Sequence, residues 1–215
     1  MGTDKIADAK SQARRHVAET LVRLTPSRRR AAGIAVAQRV TNLPAVRDAR
    51  TIMAFLSLPT EIDTWPIIQW AWAEGKRVGV PRIEPADGGV PITEWRMAVV
   101  ELPPADVGAV AAHPRVRPGP LGILDVPDGL LIDVAAIDVI LAPCMAVDRR
   151  GNRLGKGGGF FDRFLAQPGL RAPCIVLAFY EQVLDEVPVT ANDHPVDFIV
   201  TDAEVMASKG TAGDK

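Results

Sequence analysis

Residues 4–40 carry apolar side chains at the spacing of an α-helix. Pro26 interrupts this pattern, and the threonine directly before it is a typical N-cap residue. Proline is also favoured at the first helical position, where its missing N–H leaves no bond unmade. We therefore predict two consecutive helices, the second of which begins at Pro26 with Thr25 as its cap.

After residue 50, short apolar runs alternate with amphipathic stretches. Residues 51–58 and 76–83 have the length and composition of buried strands. Between them, residues 63–75 predict a helix, and Gly75 is suited to its C-terminal end. Because a strand, a helix and a strand follow each other, we expect a mostly parallel sheet with helices on its faces.

The second half of the chain repeats this alternation. A glycine-rich loop at 148–159 follows a buried apolar run, and the next residues predict a helix at 160–167. Residues 84–130 are rich in Pro, Gly and Asp and read as a long loop, a type of segment that often binds a ligand. Within that loop, residues 91–100 predict a strand that could be antiparallel. Further apolar strands are predicted at 137–147, 172–180 and 196–202.

These elements are compatible with one domain, because a domain holds roughly 150 residues and the chain has 215. We expect a single α/β domain over residues 1–205. Its fold would be three-layered and Rossmann-like, with a mostly parallel central sheet flanked by helices. Residues 206–215 are expected to form a flexible C-terminal tail.

Composition and charge exclude several functional classes. Lysine and arginine total 25 against 26 acidic residues, a net charge of −1, which argues against binding to nucleic acid or membranes through bulk charge. No apolar run approaches the roughly 18 residues of a membrane span, and no signal peptide is recognisable. Two cysteines cannot form a disulfide framework, so a cytoplasmic location is expected. The three histidines have no metal-ligand spacing, which argues against a zinc site.

A glycine-rich segment is the strongest chemical signal. Four glycines lie within residues 155–159, accompanied by the cations Arg153 and Lys156. Glycines let backbone N–H groups converge on an anion, and a helix N-terminus adds partial positive charge. We favour a phosphate site over a flexible turn, although neither the Walker A pattern nor GxGxxG matches. Asp148, at the start of the segment, is interpreted as a turn residue rather than a ligand.

Charged residues outside this segment each have two interpretations. Asp162 is suited to a helix start, and beside a polyphosphate it could hold Mg²⁺. Asp193 fits an Asx-type turn or a second carboxylate for the same metal. Glu61 follows the first strand, where it could cap a helix or bind an amino-pyrimidine-like ring. Lys10 and Arg14 share one helix face, which by itself indicates only two exposed cations.

The order and spacing of these segments resemble the 5-formyltetrahydrofolate cyclo-ligase family, the 5,10-methenyltetrahydrofolate synthetases, from about residue 10 to residue 202. The glycine loop with its preceding Gly-Asn-Arg-Leu-Gly is the most specific part of this resemblance. The matching segments are the pair Lys10 and Arg14 and residues 55–64, 75–82, 143–165, 177–182 and 187–202.

The resemblance implies an ATP-dependent ligase that cyclises 5-formyltetrahydrofolate to 5,10-methenyltetrahydrofolate and releases ADP and phosphate. In this family the formyl oxygen attacks the γ-phosphate of MgATP, N10 attacks the resulting N5-iminium phosphate, and phosphate leaves. The resemblance therefore implies ATP as co-substrate, Mg²⁺, and a folate substrate that could be polyglutamylated. Nucleic acid and membranes are not expected as partners, and a monomer is expected.

The resemblance also implies roles for individual residues. Lys156 and Arg153 would be catalytic, and Asp162 and Asp193 would bind Mg²⁺. ATP would contact Lys10, Arg14, Arg153, Leu154, Gly155, Lys156, Gly157, Gly158, Gly159, Phe160 and Phe161. The folate would contact Leu56, Glu61, Lys156, Gly157, Gly158, Gly159 and Phe160.

The sequence departs from the family pattern at three places. Phe161 stands where the family usually has tyrosine, so a hydroxyl is missing. Cys144 replaces a glycine after Pro143, and residues 121–126 differ from the usual Gly-Ile-x-Glu-Pro. Two other hypotheses stay open. The departures motivate a folate- or nucleotide-binding homologue with impaired catalysis, and the glycine loop would also suit the phosphate of a sugar-phosphate or CoA enzyme of similar architecture.

Overall fold

Two consecutive helices begin the fold, as predicted. The computed structural model describes residues 3–85, 91 and 94–208. Its α-helices are α1 (Thr3–Val22), α2 (Pro26–Thr41), α3 (Pro44–Arg47), α4 (Trp65–Ala73) and α5 (Phe160–Leu165). The Thr25 hydroxyl accepts a hydrogen bond from the backbone N–H of Arg28 and Pro26 begins α2, which confirms the predicted cap. Within the described ranges, no helix is both long and apolar enough to cross a membrane.

The strands form one large sheet and two small ones within the described residues. They are β1 (Thr51–Met53), β2 (Arg77–Glu84), β3 (Arg96–Glu101), β4 (Arg117–Pro118), β5 (Leu124–Asp125), β6 (Val139–Ala142), β7 (Ala146–Asp148), β8 (Arg153–Leu154), β9 (Cys174–Ala178), β10 (Val183–Leu184), β11 (Phe198–Thr201) and β12 (Val205–Ala207). The large sheet has the order β12-β11-β9-β6-β1-β2-β3. Its inner strands pair in parallel, whereas β12 and β3 pair antiparallel at the edges. The mostly parallel α/β sheet is therefore confirmed.

The central strands separate two hydrophobic layers. In β6, Val139 and Leu141 face one layer and Ile140 and Ala142 face the other, as the two-residue period of a strand requires. The first layer also contains buried residues of α1, α2 and α4, whereas the second includes Phe164 of α5. The sheet thus lies between two hydrophobic layers.

Several element boundaries differ from the sequence prediction. Strand β1 ends at Met53, although its apolar run continues to residue 58. The run at 137–147 divides into β6 and β7, which belong to different sheets. Pro143 lies between them and has no N–H to donate to a ladder. The helix predicted at 160–167 ends at Leu165, so α5 has six residues.

The predicted long loop and tail are also corrected in part. Within residues 84–130, β4 and β5 form a small antiparallel pair, and β3 is indeed antiparallel to β2. Residues 86–90 and 92–93 lie outside the described residues. The tail does not begin at residue 206, because β12 extends to Ala207 and Met206 is buried against the sheet. Residues 209–215 lie outside the described residues.

Asp148 organises the turn that leads into the glycine-rich segment. Its side chain is fully buried. The carboxylate accepts hydrogen bonds from the backbone N–H groups of Arg150, Asn152 and Val187 and from the Asn152 amide, at 2.9 to 3.1 Å. Gly151 has a φ of +88°, and a Cβ there would lie 2.6 Å from the Val196 carbonyl oxygen. The interpretation of Asp148 as a turn residue is confirmed.

We expect the Asp148→Ala variant to be destabilised by about 3 kcal/mol, because it leaves several buried donors without an acceptor. Urea unfolding measures this loss. Asp185→Ala is the matched control, since Asp185 is exposed. Equal stability of the two variants would contradict the role assigned to Asp148.

Candidate active site

The small three-stranded sheet positions the glycine loop, which we define as residues 155–159. Strand β8 pairs antiparallel with β7, and β7 pairs in parallel with β10. The Leu154 carbonyl accepts a 2.7 Å hydrogen bond from Met145. The loop therefore leaves a fixed strand and enters α5 five residues later.

Two glycines of this loop have backbone angles that other residues rarely adopt. Gly157 has a φ of +108° and Gly159 a φ of +65°. A Cβ on Gly159 would lie 2.8 Å from the Nη1 atom of Arg163. Since α5 is short, we assign the positive character of the loop to side-chain cations rather than to the helix dipole.

An ion pair joins the two ends of the loop. An Nη2 atom of Arg153, at the end of β8, donates a 2.7 Å hydrogen bond to Asp162 in the first turn of α5. The Arg153 side chain is 2% exposed and that of Asp162 is 20% exposed. The guanidinium also lies 5.4 Å from the centre of the Phe161 ring. Breaking a pair in which one charge is this deeply buried is costly, so the loop ends are held together.

Two cavities lie on either side of the loop. The first, which we call the apolar pocket, is lined by aliphatic and aromatic side chains and a few charged groups. The second, which we call the cationic groove, is lined by α1, the loop, α5 and residues 191–194. Gly155, Gly159 and Asp162 line both cavities. The loop is therefore a shared wall between a pocket for an apolar group and a groove for an anion.

The predicted residues divide between these cavities. Those that line the apolar pocket are Leu56, Glu61, Arg153, Gly155, Lys156, Gly158, Gly159, Phe160, Phe161 and Asp162. Those that line the cationic groove are Lys10, Arg14, Leu154, Gly155, Gly157, Gly159, Asp162 and Asp193. Every predicted residue thus lies at one cavity or the other. Five residues predicted to contact ATP line only the pocket, namely Arg153, Lys156, Gly158, Phe160 and Phe161, whereas Gly157, also predicted to contact the folate, lines only the groove.

Helix α1 contributes two cations to the groove. Lys10 pairs with Asp193 at 2.5 Å. Arg14 donates through Nε to the Gly155 carbonyl at 2.8 Å, which fixes the loop against α1. Partial burial acts to raise the pKa of Asp193, but hydrogen bonds from Lys10 and Thr190 outweigh it, so the pKa lies below its usual value. Asp193 is therefore ionised and balances Lys10.

A third ion pair lies in the apolar pocket. The Lys156 ammonium lies 2.7 Å from a carboxylate oxygen of Glu61, and the other oxygen accepts a 2.8 Å hydrogen bond from the backbone N–H of Leu58. The Glu61 side chain is 11% exposed, whereas that of Lys156 is 48% exposed. The lysine is mobile enough to exchange partners, while the carboxylate is held in place.

Cys144 lies in the wall of the apolar pocket but is not poised for nucleophilic chemistry. Burial raises the pKa of its thiol to about 12, against a small opposing effect of Arg153. Its carbonyl oxygen accepts a 2.7 Å hydrogen bond from the side-chain amide of Gln182. The thiol is therefore protonated and serves as a small apolar group.

The donor set is compatible with Mg²⁺ only when phosphate is present. Across the described residues, no group of three or more His, Cys, Asp or Glu side chains could hold a metal by itself. Two carboxylates, Asp162 and Asp193, line the groove, and the backbone N–H of His194 lies 3.4 Å from Asp162. Mg²⁺ commonly takes one or two carboxylates together with phosphate oxygens. The groove can supply the carboxylates, and a bound triphosphate would supply the phosphate oxygens.

Sequence reasoning missed part of the lining of both cavities. Ile83 of β2 and Met97 of β3 also line the apolar pocket, and no local motif marked them. Ile123 lines it as well and lies in the segment 121–126, to which no role was assigned. Arg163 and His194 also line the groove. Their positions directly after Asp162 and Asp193 were the available signal.

The chain matches the model of the 5-formyltetrahydrofolate cyclo-ligase family over residues 6–202. It belongs to that family. The 5-formyltetrahydrofolate cyclo-ligase of Escherichia coli K12 is 31% identical over 183 residues, covering 85% of this chain and 94% of that protein. The mouse protein of the same name is 26% identical over 204 residues, covering 93% and 97%.

Solved structures of cyclo-ligase relatives share the fold. The 5,10-methenyltetrahydrofolate synthetase of Aquifex aeolicus has a TM-score of 0.74 at 24% identity, covering 96% of this chain and 95% of that one. The synthetase of Mycoplasma pneumoniae has a TM-score of 0.68 at 17% identity, with 90% and 98% covered. The predicted resemblance and the α/β fold are therefore both confirmed.

We expect Lys10→Met to lose about 1 kcal/mol of stability at pH 7, because Asp193 loses its cationic partner. The pKa of Asp193 is lowered in the folded state, so its contribution is complete above the unfolded value near 3.8 and is lost as pH falls through the folded value. The difference from wild type should therefore shrink below about pH 3.8. Thermal unfolding between pH 3 and 7 measures it, with exposed Lys5→Met as the control. A difference that does not change with pH would contradict this account.

Proposed function

We propose that this chain catalyses the ATP-dependent cyclisation of 5-formyltetrahydrofolate to 5,10-methenyltetrahydrofolate, with release of ADP and phosphate. The observation that carries the proposal is the pair of cavities sharing the glycine loop as a wall. A reaction that transfers the γ-phosphoryl group to a folate oxygen requires two such sites in contact, since proximity is the main catalytic need.

The apolar pocket would take the folate. Leu56 and the aromatic ring of Phe160 provide apolar walls for a pteridine ring. The buried carboxylate of Glu61 would accept hydrogen bonds from the amino-pyrimidine edge of that ring. Binding of this kind takes Glu61 away from Lys156, which then faces the formyl group from the loop.

The cationic groove would take the triphosphate. Lys10 and Arg14 of α1 lie on one side, and Leu154 with the backbone of Gly155, Gly157 and Gly159 lies on another. Glycine at these positions leaves the backbone N–H groups accessible to phosphate oxygens.

The γ-phosphate would then lie near the part of the loop that also borders the folate pocket, where Gly158, Phe160 and Phe161 are placed.

The chemistry follows from these positions. The formyl oxygen bonds to the γ-phosphorus while the bond to the bridging oxygen breaks, and ADP leaves. N10 then bonds to the activated formyl carbon and loses its proton, and phosphate departs with the former formyl oxygen. Lys156 and Arg153 balance the negative charge that develops on the transferred group. The apolar walls exclude water that would otherwise hydrolyse the activated formyl group.

Asp162 and Asp193 would hold Mg²⁺, which neutralises phosphate charge when bound. Both carboxylates are paired with cations in the free protein, at 2.7 Å and 2.5 Å. Lys10 can turn to phosphate oxygens as Asp193 binds the metal, whereas Asp162 can bind the metal through Oδ2 and keep Arg153 on Oδ1. The exchange leaves each charged group with a partner in both states.

The remaining proposals concern the assembly, the location and the substrate tail. We propose a monomer, because every residue for which the resemblance implies a role lies at one of two cavities that share a wall. A cytoplasmic location is supported by the two cysteines, which are free and buried. The polyglutamate tail of a folate would extend from the open mouth of the apolar pocket into solvent.

Absorbance of the methenyl product tests the proposed function. We expect product only when 5-formyltetrahydrofolate, ATP and Mg²⁺ are all present. Folded protein that binds folate but forms no product, even after Phe161→Tyr restores the hydroxyl, would show a binding homologue instead. Isomerisation of a sugar phosphate without ATP would favour the other alternative.

In the same assay, the Glu61→Gln variant tests whether the folate binds in the apolar pocket. We expect its KM for 5-formyltetrahydrofolate to rise about tenfold or more, because a charge-assisted hydrogen bond is lost. Glu74→Gln is the control, since Glu74 is exposed at the end of α4. A KM equal to that of the control would remove Glu61 from the proposed folate site.

A further inference from the structure

Arg163 lines the cationic groove, and the family resemblance implied no role for it. It lies on α5, directly after Asp162. Its guanidinium lies 5.0 Å from the centre of the Phe160 ring, and its Nη2 atom donates a 3.2 Å hydrogen bond to the Trp95 carbonyl. These contacts hold the guanidinium beside the glycine loop.

The charge of Arg163 has no counter-ion in the part of the chain that the structure describes. Lys10, Arg153 and Lys156 are each paired with a carboxylate. By contrast, no carboxylate of a described residue lies within ion-pair distance of Arg163 or of Arg14. Two cations of the groove are therefore available to an anion without first giving up a partner.

The Arg163 side chain also lies close against the glycine loop. The Nη1 atom of Arg163 lies 2.8 Å from the position that a Cβ of Gly159 would take. Of the five guanidinium N–H donors, only one on Nη2 has an acceptor among the described residues. The Arg163 guanidinium, which lies beside Gly159, thus has N–H donors available at the edge of the groove.

We propose that Arg163 is a further ATP-binding residue, whose guanidinium contacts a phosphate oxygen of the triphosphate. This inference rests on the proposed function. Phe160, on which the guanidinium lies, is a wall of the apolar pocket. Arg163 therefore joins the phosphate site to the folate site, and its ring contact makes a smaller, secondary contribution to folate binding.

Kinetics of three variants test the proposal. We expect Arg163→Met to raise the KM for ATP about tenfold to a hundredfold, the effect of losing a hydrogen bond to a charged group. The KM for 5-formyltetrahydrofolate should rise only about twofold to fivefold, the size of a lost cation–π contact. Arg163→Lys should recover part of the ATP effect. Arg171→Met is the matched control, because Arg171 is exposed and lines neither cavity.

Inorganic tripolyphosphate separates a phosphate contact from other effects. Calorimetry with the free protein measures its affinity without turnover. Arg163→Met should weaken tripolyphosphate and ATP by the same factor. Unchanged tripolyphosphate affinity, or a KM for ATP within about twofold of wild type, would overturn the role of Arg163. If wild type binds tripolyphosphate through Arg163 yet forms no methenyl product, the proposed function fails while this contact stands.

Discussion

The buried guanidinium of Arg153 sets the constraint on which the site depends. A charge that is 2% exposed must have a carboxylate beside it, and Asp162 provides one at 2.7 Å. Because Arg153 ends β8 and Asp162 lies in the first turn of α5, this pair fixes both ends of the glycine loop. Four of the five loop residues are glycines, which have no side chains to anchor them, and the fixed ends hold the loop in position instead. Its residues Gly155 and Gly159 line both the pocket and the groove.

Three of the five described lysine and arginine side chains that line the two cavities are paired with carboxylates of the same site. The chain carries a net charge of −1, and the cations that matter lie around one loop. Lys10, Arg153 and Lys156 are neutralised by Asp193, Asp162 and Glu61 in the free protein. Binding of a triphosphate, Mg²⁺ and a pteridine would give Lys10 and Lys156 new partners, while Arg153 keeps Asp162. Arg14 and Arg163 have no carboxylate partner among the described residues, so they give the free groove positive charge that a triphosphate can balance.

Local features of the chain were predictable from the sequence. The Thr25 cap, the alternation of strands with helices and the glycine loop each depend on residues that are close together in the chain. Pro143 would also have predicted the break between β6 and β7, had its missing donor been weighed against the apolar run. Those features needed no knowledge of tertiary packing.

Long-range features were not predictable. Arg153 is buried although it lies in a two-residue strand beside a glycine-rich loop, where the local sequence predicts an exposed cation. The Lys156–Glu61 pair joins residues 95 positions apart. Phe161 shows the same limit: its missing hydroxyl suggested impairment, but its ring still lies against Arg153. Only the folded chain shows which part of the aromatic side chain makes that contact.

A crystal structure with a non-hydrolysable ATP analogue and 5-formyltetrahydrofolate tests the shared wall most directly. The account predicts the triphosphate in the groove beside Lys10 and Arg14, and the pteridine in the pocket against Glu61. The glycine loop would lie between them, with Lys156 released from Glu61. Both ligands on one side of the loop, or an intact Lys156–Glu61 pair beside a bound pteridine, would contradict it.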